Sequence, residues 1–273
     1  IEQAIKKITP IFVVMNSDLK ITFLGSGTSQ GVPIIGSTHP VCLSTDSRDK
    51  RLRVSVLIQW LNKSIVIDCG PDFRQQLLRV NATALDAILI THEHSDHTAG
   101  LDDIRPFCFM RGGPFPFYAT PKVFGELRKR FGYIFETENK YPGAPSIETN
   151  EISKDSPFLV EGKNVIPVEG FHYKLPVLGF RIDGFTYLTD IKTMAETEIL
   201  KIKNTDVLVV NCLREDAHPS HFNLTEALEF IEKVNPKKAY LTHISHLLGF
   251  HAVVEKNLPE NVHLAYDGLV LEV

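Results

Sequence analysis

An α/β protein of four layers, two mixed β-sheets packed face to face between outer helices, is predicted from three observations. β-rich runs come first, helix-like stretches follow, and the order then repeats, so strands and helices alternate in blocks. Some runs are apolar throughout, as in Ala87-Ile88-Leu89-Ile90 and Val207-Leu208-Val209-Val210, which marks strands buried on both faces. No linker or low-complexity segment interrupts the 273 residues, of which 43% are hydrophobic and 23% charged, enough for one sizeable core.

The elements follow in order. Leu19 to Leu24 alternates like a half-buried strand and ends in the turn Gly25-Ser26-Gly27-Thr28-Ser29. Arg53 to Leu61 and Ser64 to Asp68 flank Asn62-Lys63 and read as a hairpin. Pro71-Asp72 opens a helix whose apolar stripe is Phe73, Leu77, Leu78 and Val80. Residues 87–90 form a buried strand that stops at Thr91-His92, and a helix-like stretch covers 98–110. Arg111 to Pro116 is rich in glycine and proline, 121–132 reads as helix, and 136–150 as a polar surface loop. Strand signals resume at Asn164 to Val168, Leu178 to Ile182, Phe185 to Leu188 and Val207 to Val210. Asn223 with Glu226 forms a capping-box pattern, opening a helix that closes near Asn235-Pro236. Ala239 to Leu241 is a strand stopping at Thr242-His243, and Leu264 to Val273 supplies the last one or two strands.

Residues 18–273 read as one domain and 1–17 as an N-terminal extension, with Met15 near the natural start. Lys6 and Lys7 precede the apolar stretch Ile8 to Met15, but Pro10 breaks it and no small-residue cleavage site follows. No run approaches the length needed to span a bilayer, so no membrane partner is expected. The cysteines Cys42, Cys69, Cys108 and Cys212 are scattered without paired spacing, which fits a reducing cytoplasm better than a disulfide framework. With 29 basic and 33 acidic residues the net charge is −4, so no strongly positive field is available to hold nucleic acid.

Chemistry concentrates at Thr91-His92-Glu93-His94-Ser95-Asp96-His97, directly after a buried strand. Imidazoles and a carboxylate this dense are costly to bury unless they bind something, and a turn at a strand end lets them converge. Imidazole nitrogen suits zinc, iron or manganese, and the added carboxylate suits a second, harder ion. A surface histidine cluster is the bland alternative, but the strand-then-turn context favours the metal.

The pattern His-x-His-x-Asp-His after a buried strand resembles the metallo-β-lactamase superfamily, and the resemblance runs across nearly the whole chain from Leu19. It implies a two-metal hydrolase. One metal would be held by His92, His94 and His172, and the other by Asp96, His97 and His243, with Asp190 bridging. Asp68, in Ile67-Asp68-Cys69-Gly70, matches the aspartate that steadies a ligand histidine. Any of His172, Asp190 or His243 taken alone would read as structural; their order after the lead motif makes the case.

Within the superfamily, Thr-His-Ile-Ser at residues 242–245 is shared by tRNA 3′-processing endonucleases and by PhnP-like phosphoribosyl cyclic-phosphate phosphodiesterases. Bacterial tRNA enzymes carry a long arm between the residues matching His172 and Asp190. Here 17 residues separate the two, room for strands and a tight turn but not for an arm. The opening loop Gly25 to Pro33 is similar to the phosphodiesterase branch. That branch often adds a Cys-x-Cys-x-x-Cys zinc site, completed by a later histidine. This chain has Ser37, His39 and Cys42 at those positions, with His246 as the later partner, so the resemblance implies at most an altered structural zinc site. His221 resembles the non-ligand histidine that these phosphoesterases place beside the substrate, where it could bind the phosphoryl group or assist the leaving oxygen. His218, His251 and His263 read as structural.

The expected activity is hydrolysis of a small phosphodiester, cyclic ribosyl or nucleotide, by a hydroxide shared between two divalent metals, with Asp96 and His221 as catalytic residues. Zinc, manganese and iron are all compatible. A homodimer is common for such folds, though the sequence does not specify one, and nucleic acid is not the expected partner. The Gly25 to Ser29 turn could offer backbone N–H groups to a phosphate, although such turns are usually only tight turns. Alternatives are a tRNA 3′-processing endonuclease, a thioester or lactone hydrolase of the same fold, an iron-dependent oxidoreductase, and a metal-stabilised binding module.

Overall fold

Residues 19–273 are described by a computed structural model; the extension read at 1–17 lies outside the described residues. Six strands build one sheet in sequence: β1 (Lys20–Gly25), β2 (Ser55–Trp60), β3 (Lys63–Ile67), β4 (Ala87–Leu89), β5 (Phe115–Ala119) and β6 (Ile147–Glu151). The second sheet takes β7 (Phe158–Val160), β8 (Lys163–His172), β9 (Leu175–Ile182), β10 (Phe185–Tyr187), β11 (Thr193–Met194), β12 (Val207–Asn211), β13 (Lys238–Thr242) and β14 (Val262–Leu264). β15 (Val270–Glu272) returns to the first sheet beside β1, giving the order β15-β1-β2-β3-β4-β5-β6. The second order is β11-β8-β9-β10-β12-β13-β14, with β7 on β8. Both sheets are mixed: β1 to β3 are antiparallel and β3 to β6 parallel, while β8 to β10 are antiparallel and β10, β12, β13 and β14 parallel.

The period of two divides each strand between two cores. Ile65 and Ile67 of β3 enter the apolar layer between the sheets, with Phe180 and Tyr187 opposite, whereas Val66 faces outward. On that outer face it meets Phe73, Phe117 and Phe124, contributed partly by the helices Phe73–Arg79 and Pro121–Arg130. In β12, Val207 and Val209 point between the sheets; Leu208 and Val210 point toward Ile199 and Phe230, from the helices Glu196–Ile202 and Leu224–Val234. The four-layer α/β architecture expected from the strand and helix blocks is therefore the one observed.

Three expectations need correcting, and one helix went unread. Residues 136–150 are not loop throughout, since β6 begins at Ile147. Its sequence Ile-Glu-Thr-Asn-Glu hid it, because an edge strand pairing only with β5 has little apolar demand. The stretch 98–110 is broken into a short helix Ser95–Thr98, a tight turn Leu101–Ile104 and the helix Arg105–Arg111. A Cβ at Gly100 would lie 2.2 Å from the Gly70 carbonyl oxygen, so the chain there packs backbone on backbone instead of continuing a helix. The glycine-rich segment ends inside β5, and the helix Glu196–Ile202 gave no signal strong enough to be read.

Strand ends place the chemistry. Asp68 follows β3, Thr91-His92 follows β4, Asp190 follows β10, His243 follows β13, and His172 closes β8. The carboxyl ends of parallel strands are where α/β proteins present binding groups. Phe180, fully buried between the sheets, should cost about 3–5 kcal/mol of stability as Phe180→Ala, read by denaturant unfolding.

Candidate metal centre

The motif turn is held from beneath. His94 precedes the short helix Ser95–Thr98, and Thr98 Oγ1 donates to the His94 carbonyl at 2.8 Å. The Cys69 N–H donates to the His97 carbonyl at 2.8 Å, and a Cβ at Gly70 would sit 2.0 Å from the Asp96 carbonyl oxygen. Only glycine permits that approach, so Gly70 sets how close the motif lies to β3.

Hydrogen bonds fix the ring tautomers. His97 Nδ1 lies 2.7 Å from Asp68 Oδ2, an acceptor, so Nδ1 carries the proton and Nε2 keeps its lone pair. Thr91 Oγ1 donates to the Asp68 carboxylate at 2.9 Å and lies 3.0 Å from His92 Nδ1, so it accepts from that nitrogen. His172 Nδ1 donates to the Ser220 carbonyl at 2.9 Å. Three imidazoles are thus held with Nε2 as an acceptor. His92 Nε2, His97 Nε2 and His243 Nε2 are buried with no hydrogen-bond partner. His97 Nε2 lies 3.3 Å from Asp96 Oδ2 and 3.2 Å from Asp190 Oδ2, and His243 Nε2 lies 3.2 Å from Asp190 Oδ1. A ring nitrogen this close to a buried carboxylate needs a positive charge between them, a proton in the metal-free protein or a metal ion in its place.

Asp96 and Asp190 stay ionised. Burial alone would raise the pKa of Asp190, but His243 and His97 hold it well below the usual carboxylate range. Burial raises the pKa of Asp68, while His97 and Thr91 pull it back. For His92, burial and then the nearby His97 lower the pKa well below the ordinary value, which keeps the ring neutral as a ligand must be.

Asp68, Asp190 and His243 occupy left-handed backbone at φ 63°, 56° and 56°, a region costly for residues with a Cβ. Each has a clamp nearby. Ser55 Oγ donates to the Asp68 carbonyl at 2.9 Å. Asn211 accepts from the Ile191 N–H at 2.8 Å and donates back to its carbonyl at 3.0 Å, pairing with the residue after Asp190 as a strand would. The Ile244 N–H donates to the Ser26 carbonyl at 2.9 Å. Thr91, Ser55 and Asn211 carried no role in the sequence reading. Buried polar residues at strand ends are the signal, but one shared with every ordinary turn.

Among the described residues two groups bring potential ligand atoms within 4.8 Å of one another: Asp96, His97, Asp190 and His243, and His172, Asp190 and His221. His92 and His94 stand outside both, with ring centroids 4.6 Å apart and His94 5.3 Å from His172. Of the expected ligands, Asp96, His97, His172, Asp190 and His243 thus lie at ligand spacing, and His92 and His94 lie beside them without it. The structure also brings His221 in, its ring centroid 4.4 Å from His172 and 4.7 Å from His243. Burial and the charge of His243 push the pKa of His221 down to about 3, so its ring is neutral. His218 packs 5.1 Å from His221, at the rim.

Elsewhere, the rings of His39 and His246 meet edge-on at 4.8 Å, with Cys42 buried in the same short helix that His39 caps. These three are not among the groups with ligand spacing. The Gly25 to Ser29 turn is structural: its N–H groups at Ser26, Gly27 and Thr28 already donate to Asp267 Oδ1 and to the carbonyls of Leu52 and Ile244.

Residues 63–244 match the family described as the Beta-lactamase superfamily domain. The chain belongs to the metallo-β-lactamase superfamily. It is similar to a crystal structure described as a new diphosphatase from the PhnP family, with TM-score 0.88 and 38% identity over 94% of this chain and 97% of that one. The PhnP-like resemblance read from the sequence is borne out. The short form of human tRNase Z shares the fold at TM-score 0.65 and 21% identity, covering 92% of this chain and 98% of that one. A Porphyromonas gingivalis (strain ATCC BAA-308 / W83) protein named octanoyltransferase is 42% identical over 92% of this chain, which spans only 51% of its length. Between His172 and Asp190 lie β9 and β10 joined by tight turns, so no arm is inserted there. Among the described residues no helix is long and apolar enough to cross a membrane.

Asp68→Asn keeps the size of the side chain but weakens its hold on His97. Metal titration should show affinity weakened roughly 10–100-fold while the thermal melt stays cooperative.

Proposed function

We propose that the chain is a metal-dependent hydrolase of a small phosphodiester. Asp96, His97 and His243 would hold one divalent ion and His92, His94 and His172 the other, with Asp190 shared. Zinc, manganese and iron suit this donor set, and His39, Cys42 and His246 would be the place for a further structural zinc. Two cations in such a site supply Lewis acidity to a phosphoryl oxygen and make water nucleophilic at neutral pH.

The observation that carries the phosphoester reading is His221. It is a buried neutral imidazole packed against the ligand cluster, with Nδ1 3.7 Å from Asp190 Oδ1 and no hydrogen-bond partner for that nitrogen. Its other ring nitrogen would donate to the oxygen that leaves phosphorus, where negative charge develops, and the departing group then takes a proton from solvent. Asp96, 13% exposed, is the carboxylate placed to orient an attacking water. The missing arm and the net charge of −4 favour a small substrate over tRNA.

A second reading has its own support: the PhnP-family relative at 38% identity is named a diphosphatase, which points to a phosphoanhydride P–O bond. The octanoyltransferase name belongs to a protein about twice as long and assigns no chemistry to this half.

Protein loaded with manganese or zinc is expected to hydrolyse bis-p-nitrophenyl phosphate, with His94→Ala losing at least about 100-fold in kcat/KM. Absence of turnover on this diester at a measured content of two metals per chain would sink the diester reading. Conversion of a dinucleoside diphosphate to two nucleoside monophosphates under the same conditions would favour the second. Stripping the metals with a chelator should abolish either activity, and adding the ion back should restore it.

A further inference from the structure

His221 sits in a segment tied down at several points, and one of them reaches an exposed ion pair with no other evident task. The His172 ring donates to the Ser220 carbonyl at 2.9 Å. The Phe222 N–H donates to the Ile191 carbonyl at 3.2 Å, and the Leu213 N–H to the Phe222 carbonyl at 2.9 Å. Asn223 then caps the helix Leu224–Val234: its Oδ1 accepts from the Glu226 N–H at 2.9 Å, while Glu226 Oε2 accepts from the Asn223 N–H at 3.0 Å. A capping box normally ends there.

Here Glu226 makes a further bond. Both its oxygens accept from Lys192 Nζ, at 2.6 and 2.7 Å. Lys192 follows Asp190 by two residues, and its N–H donates to the Phe171 carbonyl at 2.8 Å, beside His172. One carboxylate thus joins the segment carrying His221 to the turn carrying Asp190 and, through Lys192, to the end of β8. The pair is partly exposed, with side chains 19% and 34% accessible, so as a simple ion pair it would add little stability. As a strut it is a second tie, beside the Phe222 to Ile191 bond, between segments that hold a ring and a carboxylate 3.7 Å apart.

We infer that Glu226, through its paired contacts with Lys192 and Asn223, is a positioning residue that fixes the His221 ring against the Asp190 turn. This rests on the reading of His221 as donor to the leaving oxygen. A donor misplaced by about 1 Å loses much of its effect on a developing charge. The loss must therefore grow with the charge on the leaving oxygen: small for a nitrophenolate, large for an unactivated alkoxide.

The test compares metal-loaded wild type, Glu226→Gln, Lys192→Met and His221→Ala on two diesters, one leaving as p-nitrophenolate and one as an alkoxide. Metal titration and a thermal melt accompany each protein. His221→Ala should lose roughly 100-fold in kcat on the alkyl diester and under about fivefold on the aryl one. Glu226→Gln and Lys192→Met should each lose roughly tenfold on the alkyl diester and under about twofold on the aryl one, with metal affinity unchanged. If His221→Ala shows this dependence and both strut variants match wild type or slow both diesters equally, the strut inference is overturned and the role of His221 stands. Metal affinity weakened more than about tenfold in the strut variants also overturns it, because the tie would then act on Asp190. An equal loss on both diesters in His221→Ala overturns the leaving-group role and the strut with it. Should Glu226→Gln fail to melt cooperatively, Lys192→Met, which leaves the cap intact, decides the question through the same two rate comparisons.

Discussion

Acceptor nitrogens aimed at ionised carboxylates in a water-poor interior repel one another, and a cation among them turns that repulsion into binding. Much of the local structure serves this constraint. Asp68 takes the proton-bearing side of His97 and, through Thr91, orients His92; the Ser220 carbonyl does the same for His172. The inward nitrogens of His92, His97 and His243 are left without protein partners. Groups prepared in this way avoid rotating away from the metal, so the ordering cost is met during folding and not on binding.

The two sheets make that preparation possible. Left-handed backbone at Asp68, Asp190 and His243 costs of the order of 1–3 kcal/mol at each site. It persists because the strands before these residues are buried on both faces and cannot slip without moving an apolar set from one core to the other. Rigid strands end together, and the short turns beyond them have little choice of direction. The clamp from Asn211 to Ile191 and the backbone contact at Gly70 act at this level: they tie a functional turn to a strand or to another turn.

The surroundings of the ligand cluster are equally defined. The connection between His172 and Asp190 is taken up by β9 and β10, leaving the mouth without an arm to follow a polynucleotide. His221 is neutral and packed between His172 and His243. Its segment is anchored to the turns of both Asp190 and His172, so the three residues share one frame.

The sequence by itself determined the layered α/β class, the strands apolar on both faces, and the density of potential metal ligands in the His92 to His97 turn. All three are local: period and composition report burial, and donors packed into a few residues must share one cavity. His172, Asp190, His243 and Asp68 were legible only through their order in a known pattern, since each alone resembles an ordinary turn residue. The edge strand β6, with one neighbour and a polar sequence, was not legible, nor was the break in the 98–110 stretch, caused by backbone packing of Gly100 on Gly70. Tertiary structure alone decided which nitrogen of each imidazole faces inward. It also decided that Asn211 holds Ile191 and that Glu226 reaches Lys192. These are contacts between residues distant in sequence. Their partners are chosen by how strand ends meet across two sheets, and no local pattern encodes that meeting.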